Sequence, residues 1–241
     1  MPSTLTVAQL TGQDESHLTS MSSGHRLQGS VVQAFEYLCA DARRAGFDLQ
    51  IASSFRSFAR QCLLWNEKAV GDRVVHDDHG TPIDLSSLTD KEAVHAIMRF
   101  SALPGTSRHH WGTDLDIFDA SAMPQGYQLQ LSPQEVGPDG IFDPLHTWLD
   151  QRMAADQSYG FFRPYHTDSG GVAPERWHLS YAPLSTACEH ICTSDVLLSA
   201  LKPAKIQLWD AVDEQFTELF QRYVAVAPGW CPAPSQVSGS A

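Results

Sequence analysis

Apolar residues recur at every third or fourth position in several stretches of the chain, which is the spacing of an amphipathic helix. Ser57 and either Thr89 or Asp90 are suited to cap two of these helices, and Gly46 and Gly71 to end two of them. The predicted helices cover residues 29–46, 57–71, 88–103, 145–157 and, as one or two segments, 194–226.

Other stretches alternate between apolar and polar residues, as half-buried strands do. They are short and are interspersed with the helices, and residues 119–144 between them are predicted to be mostly loop. This order favours an α+β fold over a doubly wound parallel sheet. The predicted strands cover residues 47–53, 115–118 and 174–184, with a hairpin over 74–85.

The chain of 241 residues falls within the size range of one domain. Its hydrophobic fraction of 42% is enough for a substantial core. We predict a single domain over residues 1–225 and a disordered tail over 226–241, where proline, serine and glycine dominate.

Charge and composition exclude several classes of partner. Acidic residues outnumber basic ones by 28 to 16, and no basic cluster exceeds Arg43 and Arg44, so nucleic acid is not an expected partner. The first residues lack the features of a secretory signal, and no apolar run is long enough to cross a bilayer. We expect a cytoplasmic protein, periplasmic only if its N-terminus has been trimmed, that is a monomer or weak dimer without a membrane partner.

Five cysteines form an odd, irregularly spaced set, which favours reduced thiols. The segment "CEHIC" (residues 188–192) offers two cysteines and a histidine to a metal, but their spacing also suits one side of a helical turn. We favour the helical turn.

Two other segments concentrate metal-binding side chains: "SRHHWGTDLDIFD" (residues 107–119) and "ERWHLSY" (175–181). A hydrolytic zinc site needs three nitrogen or oxygen ligands and a further carboxylate to accept a proton from water. Strand alternation places Asp114 and Asp116 on one face, and it does not choose between them. His178 lies on the polar face of its own short strand.

Glu175 does not fit a regular strand that also presents His178, because three residues separate them and they would point to opposite faces. Pro174 indicates that the strand has not yet begun at this point. An irregular backbone there would bring the Glu175 carboxylate to the same side as His178.

Three ordered segments resemble the VanY-type D-alanyl-D-alanine carboxypeptidases. "SRHHWGTDLD" is similar to their Ser-x-His-x-x-Gly-x-x-x-Asp motif, "ERWH" to their Glu-x-Trp-His motif and "SSFRSFARQ" to their Gly-Tyr-Arg-Ser segment with its following glutamine. The resemblance extends from Ser53 to Tyr181, and the superfamily also contains the zinc domain of hedgehog proteins. It implies a small antiparallel sheet flanked by helices, with one zinc ion in a cleft on the sheet.

The resemblance also assigns roles to individual residues. It implies that His109, Asp116 and His178 bind Zn²⁺, that Glu175 is the catalytic base, and that Arg56 polarises the scissile carbonyl group.

The remaining roles concern the substrate and the surroundings of the metal. Gln61, Ser107 and Arg56 match residues expected to hold the C-terminal end of the substrate. Asp114 stands where many members have alanine, and it could either orient a ligand histidine or face water. We expect His110 to be structural or to line the cleft.

The implied activity is that of a zinc metallocarboxypeptidase removing the C-terminal D-alanine from peptidoglycan stem peptides or muropeptides. A cytoplasmic enzyme would meet recycled tetrapeptides, so L,D-carboxypeptidase activity in cell-wall recycling is favoured over D,D-carboxypeptidase activity on pentapeptides. The motifs are also compatible with an endopeptidase, a dipeptidase or a non-catalytic zinc-binding recognition module. Glu175 and Arg56 together argue for an enzyme.

Overall fold

The computed structural model describes residues 5–225, which form helices around a small central sheet. The helices are α1 (Val7–Leu10), α2 (Gly29–Arg44), α3 (Phe58–Ala69), α4 (Asp90–Met98), α5 (Pro133–Val136), α6 (Asp143–Ala154), α7 (Ala182–Ile191), α8 (Ser194–Leu201) and α9 (Trp209–Leu219). The strands are β1 (Thr19–Ser20), β2 (Arg26–Leu27), β3 (Leu49–Ser53), β4 (Val75–His76), β5 (Pro82–Ile83), β6 (Asp114–Asp119), β7 (Phe161–Phe162) and β8 (His178–Tyr181).

The central sheet has four strands in the order β3-β6-β8-β7, and every neighbouring pair is antiparallel. Two-stranded hairpins, β1-β2 and β4-β5, lie outside it. These features confirm the predicted α+β fold with a small antiparallel sheet flanked by helices.

The two faces of the sheet differ in chemistry because side chains alternate along each strand. Leu115, Ile117 and Leu179 face a hydrophobic core that they share with α2 and α6. The opposite face carries Asp116 and His178, which are also buried. A buried polar face is costly unless its groups are paired, so this face is the place to look for function.

A second hydrophobic core lies among helices α3, α4, α8 and α9. Trp65 of α3 and Ile97 of α4 are fully buried there, together with Leu197 of α8 and Phe216 of α9. Within residues 5–225, none of the helices combines the length and apolar character that crossing a membrane requires.

Most predicted helix ends agree with the structure. The Ser57 hydroxyl accepts a hydrogen bond from the Arg60 amide at the start of α3, and Thr89 forms a capping box with Glu92 at the start of α4. The start of α2 at Gly29 agrees as well, although Gln28 occupies the cap position without a side-chain hydrogen bond.

The last strand is shorter than predicted. It ends at Tyr181, and α7 begins at once with a proline in its first turn. A proline there needs no amide hydrogen, so it starts a helix as readily as it bounds a strand. The predicted loop over 119–144 also contains the single-turn helix α5. The predicted tail, residues 226–241, lies outside the described residues, and the division into one domain and a tail stays a prediction.

Candidate metal centre

Two neighbouring strands and the turn before one of them bring three candidate ligands together. Asp116 of β6 and His178 of β8 are direct cross-strand partners. His109 lies in a 3-10 turn, Arg108–Trp111, that leads into β6. Gly112 ends this turn with φ of 68°, and a Cβ atom there would lie 2.2 Å from the Leu18 side chain, so the motif requires glycine.

The three side chains converge on one point. One candidate ligand atom from each of His109, Asp116 and His178 lies within 4.8 Å of the others. The two carboxylate oxygens of Asp116 lie 3.3 Å from His109 Nε2 and 3.4 Å from His178 Nδ1. All three residues are buried.

The residues present fit a metal ion. Among residues 5–225, Asp116 Oδ1 and His109 Nδ1 are buried without a hydrogen-bond partner. An unsatisfied buried polar group costs about 1–3 kcal/mol, and a cation would remove that cost for the carboxylate. Two imidazoles and one carboxylate also form a donor set typical of zinc in hydrolases, which leaves a fourth position for water or substrate.

Asp114 lies behind His178 and is completely buried. His178 Nε2 donates to Asp114 Oδ1 at 2.9 Å, which leaves Nδ1 directed toward Asp116. Arg108 Nε donates to the same oxygen at 2.8 Å, and the Thr113 hydroxyl donates to the other oxygen at 2.5 Å. Asp114 therefore does not face water but is hydrogen-bonded to a candidate ligand, and its role in orienting that ligand stays a prediction.

Burial and hydrogen bonding act in opposite directions on the pKa of His178. Burial opposes protonation of its ring, but the hydrogen bonds to Asp114 and Glu175 outweigh burial and raise the pKa of His178 to about 9 in the absence of a cation. Burial also opposes ionisation of Asp114 and Asp116. Arg108 nevertheless holds the pKa of Asp114 below its usual range, and His109 does the same for Asp116.

Glu175 lies beside the candidate ligands although it is not part of β8. The His178 amide donates to the Glu175 carbonyl oxygen in a tight turn, and the Glu175 amide donates to the Tyr165 carbonyl oxygen. This irregular segment brings Glu175 Oε2 to 3.4 Å from His178 Nδ1. The prediction that the backbone is irregular here is confirmed.

Arg56 occupies the entrance to α3, and neutral groups hold its guanidinium. Its Nη1 donates to Gln61 Oε1 at 3.0 Å and its Nη2 to the Ser53 hydroxyl at 3.3 Å. Burial lowers the pKa of Arg56, an effect that Asp116 and Glu175 oppose. No carboxylate lies within ion-pair distance of Arg56 among the residues described, so its charge is available to a substrate.

Gln61 was predicted to contact the substrate, and the structure places it elsewhere. It is fully buried, accepts from Arg56 and donates through Nε2 to the Ala102 carbonyl oxygen at 2.6 Å. Both ends of its amide are occupied, and it does not line the cavity. Its position supports orientation of Arg56 instead of direct contact with substrate.

His110 also supports Arg56, from the backbone side. Its Nδ1 lies 2.6 Å from the Arg56 carbonyl oxygen, and its Nε2 accepts from the Gly105 amide at 3.0 Å. Burial lowers the pKa of His110 to about 3, so the ring is neutral. This is the structural role expected for His110.

A cavity of about 580 Å³ connects the candidate groups. Arg56, Glu175 and Ser107 line it, together with the three candidate ligands. Lys68 and Tyr165 line it too, and neither was predicted from the sequence. Lys68 could have been suspected because it lies seven residues after Gln61 on the same helix, whereas nothing in the sequence marks Tyr165.

The second candidate metal segment, residues 188–192, is not assembled. Cys188 and Cys192 are buried free thiols at the end of α7, and His190 is exposed. Over residues 5–225, only the group of His109, Asp116 and His178 brings three candidate ligands together.

Comparisons with known proteins place these features in a family. A family model described as VanY, D-alanyl-D-alanine carboxypeptidase, matches residues 24–184. An uncharacterized protein of Haemophilus influenzae is 50% identical over 103 residues, covering 41% of this chain and 70% of that protein. A D-alanyl-D-alanine carboxypeptidase of Enterococcus faecalis is 24% identical over 181 residues, covering 73% of this chain and 55% of that protein.

The fold has a counterpart among solved structures. The structure of VanYB in complex with D-alanine-D-alanine superposes with a TM-score of 0.51 at 21% identity, covering 83% of this chain and 90% of that one. This likeness concerns the fold alone. The family model, by contrast, spans well over half of the chain and every candidate site residue, and the chain belongs to the VanY family of D-alanyl-D-alanine carboxypeptidases.

Proposed function

We propose that the protein is a zinc-dependent carboxypeptidase that removes the C-terminal D-alanine from peptidoglycan stem peptides. The observation that carries this proposal is the placement of a three-ligand site, a carboxylate and an unpaired guanidinium around one cavity. A hydrolytic zinc site needs the ligands and the carboxylate, and a nearby cation can stabilise the oxyanion that forms.

One Zn²⁺ ion would be held by His109, Asp116 and His178. When bound, zinc supplies a Lewis acid that lowers the pKa of water and polarises a carbonyl group. Asp114 keeps His178 in the tautomer whose Nδ1 can serve as a ligand.

The other steps fall to the chain's own residues. Glu175 accepts the proton of the attacking water and returns it to the leaving amine. Its carboxylate lies next to the candidate ligands, and backbone hydrogen bonds hold its segment in place. Arg56, held by Gln61 and Ser53, donates to the carbonyl oxygen as negative charge develops on it. The surrounding burial excludes bulk water and strengthens both interactions.

Membership of the VanY family supports the substrate class. Within that class we propose L,D cleavage of tetrapeptides as the preferred reaction, in keeping with a role in cytoplasmic recycling of muropeptides, which is itself part of the proposal. D,D cleavage of pentapeptides is the second candidate, and the family description favours it.

A direct test uses purified protein loaded with zinc and three muropeptides ending at the third, fourth or fifth residue. Mass spectrometry identifies the released amino acid, with and without a chelator. We expect D-alanine release from the tetrapeptide, loss of release on chelation, and recovery on adding zinc. Release from the pentapeptide alone would replace the L,D assignment with D,D.

The same assay examines the proposed base. Glu175→Gln keeps the size of the side chain but removes its basicity, and we expect kcat to fall by about 10²- to 10⁴-fold. The zinc content of the variant should equal that of the wild type. Undiminished activity in this variant would contradict the mechanism, and lack of activity in the wild type on all three peptides would favour a non-catalytic zinc-binding module.

A further inference from the structure

Lys68 contributes a positive charge to the cavity that nothing in the described structure neutralises. It lies in the last turn of α3 and lines the same cavity as Arg56, Glu175 and the candidate metal ligands. Its ammonium group makes no hydrogen bond and no ion pair with any of residues 5–225. Its side chain is half-buried, and a cation that loses hydration without gaining a partner is costly.

The position of Lys68 on its helix explains why it faces inward. Gln61, Trp65 and Lys68 are spaced by four and three residues, so they share one face of α3. Gln61 and Trp65 are completely buried. A lysine near a helix C-terminus is favoured by the helix dipole, but it gains that benefit equally when it points to solvent. The helix dipole therefore does not explain the inward direction, which follows from the face that Lys68 shares with Gln61 and Trp65.

The electrostatic surroundings of Lys68 suit an anion. Burial is the main cause that lowers the pKa of Lys68 to about 8, Arg56 and Arg73 act in the same direction, and Glu175 opposes them. Glu175 is already engaged near His178. Within the described residues, Arg56 and Lys68 thus line one cavity, and neither has a carboxylate within ion-pair distance.

Arg108 and Asp77 also line the cavity, and both have partners among the described residues. Arg108 is bound by Asp114 and Glu189. Asp77 accepts hydrogen bonds from the backbone amides of its own turn. Among the described residues, Arg56 and Lys68 are therefore the arginine and lysine of the cavity wall that have no carboxylate within ion-pair distance.

We propose that Lys68 binds the free α-carboxylate at the C-terminus of the peptide substrate and so makes the enzyme an exopeptidase. This inference rests on the proposed function. The carboxylate of the residue to be released is separated from the scissile nitrogen by one carbon atom, so it must lie close to Arg56 and Glu175. Lys68 provides an unpaired cation in the same cavity, and it leaves Arg56 to serve the scissile carbonyl oxygen.

The test measures binding in place of turnover, using zinc-loaded Glu175→Gln protein and isothermal titration calorimetry. The two probes are L-Ala-γ-D-Glu-L-Lys-D-Ala as the free acid and as its C-terminal amide, which differ in one charged group. A charge-assisted hydrogen bond should make the acid bind about 10- to 100-fold more tightly than the amide. Adding Lys68→Met should remove this preference by weakening acid binding alone.

Matched variants separate recognition from structural effects. Lys202→Met removes an exposed lysine and should leave the acid preference intact. Lys68→Arg keeps a cation and should retain part of the preference, and Lys68→Gln replaces Lys68→Met if thermal melting shows that the latter is unfolded. The proposal is overturned if the preference survives loss of the Lys68 charge, if acid and amide weaken equally, or if no preference exists to begin with.

These outcomes can be distinguished from a failure of the proposed function. Absence of hydrolysis by the wild type would refute the carboxypeptidase proposal, but the comparison of acid with amide would still report on Lys68. Conversely, efficient release of D-alanine together with an unchanged preference in Lys68→Met would refute the role of Lys68 alone.

Discussion

At the scale of single residues, Asp114 connects a candidate ligand to a buried cation. It accepts from His178 on one side and from Arg108 on the other. Hydrogen bonds behind a ligand typically change metal affinity by about 10- to 100-fold. We expect Asp114→Ala to weaken zinc binding by about that factor, measured by competition with a chromophoric chelator.

The control for Asp114 is another aspartate of β6. Asp119 accepts from the Asp48 and Ser121 amides at the far end of the strand, so Asp119→Ala should leave zinc affinity unchanged. Removing Asp114 also breaks a buried ion pair, at a cost of about 3–5 kcal/mol in stability, so folding of the variant must be verified by circular dichroism. Equal zinc affinity of folded Asp114→Ala and wild type would contradict the role of Asp114.

His110 gives a second prediction at this scale, because it fixes the backbone of Arg56 without touching the centre of the ligand triad. Replacement by leucine removes its hydrogen bonds to the Arg56 carbonyl oxygen and the Gly105 amide. A displacement of about 1 Å near the reacting groups can cost roughly 100-fold in rate. We expect His110→Leu to lower kcat by about this factor with little change in zinc content.

The comparison variant is His190→Leu, which changes an exposed histidine of α7. Its kcat should match that of the wild type. If His110→Leu lost zinc and activity in parallel, its effect would lie in the metal site and not in Arg56.

At the scale of secondary structure, α6 contains a histidine that links stability to pH. His146 is completely buried and faces Arg163 and Arg176, while Arg163 pairs with Asp150 of the same helix. Burial first, and then the two arginines, lower the pKa of His146 to about 2. The folded protein therefore resists protonation of this ring, whereas the unfolded chain accepts a proton near pH 6.5.

The direction of the pH effect follows from that difference. The contribution of His146 to the free energy of unfolding is fully present above pH 6.5. It is lost as pH falls toward about 2, by about 1.4 kcal/mol per pH unit. We expect His146→Gln to remove this part of the pH dependence, measured by urea unfolding at pH 7.5 and 5. His190→Gln is the control and should keep the pH dependence of stability seen in the wild type. The same pH dependence in His146→Gln would contradict the prediction.

The strands show how far sequence can predict this fold and its site. Alternation along β6 and β8 correctly assigned Leu115 and Leu179 to the core, because the period of a strand depends only on local geometry. It did not distinguish Asp114 from Asp116, since both face the same side and only the tertiary position of Arg108 separates their roles. The family motif supplied that choice.

Other features could not be predicted because they depend on distant parts of the chain. The inward direction of Lys68 follows from the packing of α3 against α4 and the C-terminal helices, to which no motif points. Gln61 matches a family position, but its burial behind Arg56 depends on the distant loop that carries Ala102, whose carbonyl oxygen accepts from the Gln61 amide.

At the scale of the whole molecule, one arginine joins two walls of the cavity. Arg99, just after α4, pairs with Asp78 in the β4-β5 hairpin and with Asp168 in the loop that follows β7. Residues of both segments line the cavity. We expect Arg99→Met to raise KM more than it lowers kcat, and to accelerate limited proteolysis within the hairpin.

Lys91 provides the matched control, because its ion pair with Glu214 is exposed and distant from the cavity wall. Lys91→Met should leave both KM and proteolysis unchanged, since exposed pairs contribute about 0–1 kcal/mol. Identical digestion of Arg99→Met and Lys91→Met would show that Arg99 does not hold the hairpin.

Metal removal should also affect the whole molecule. A ligand that binds only the folded state stabilises it by about 2.7 kcal/mol when present at 100 times its Kd. We therefore expect chelation to lower Tm, and zinc to restore it, in the wild type. A Tm indifferent to chelation and zinc would mean that the triad does not bind the ion.

The pairing of Asp116 with His178 also bears on how the chain reaches its native state. A slip of one residue between β6 and β8 would turn His178 toward the core and bring Leu179 into the place of a ligand. A chain with that error could not hold zinc in the proposed geometry. The zinc bound per refolded molecule therefore reports the fraction of molecules whose central strands have paired correctly. Zinc present during refolding should stabilise those molecules and so increase their fraction.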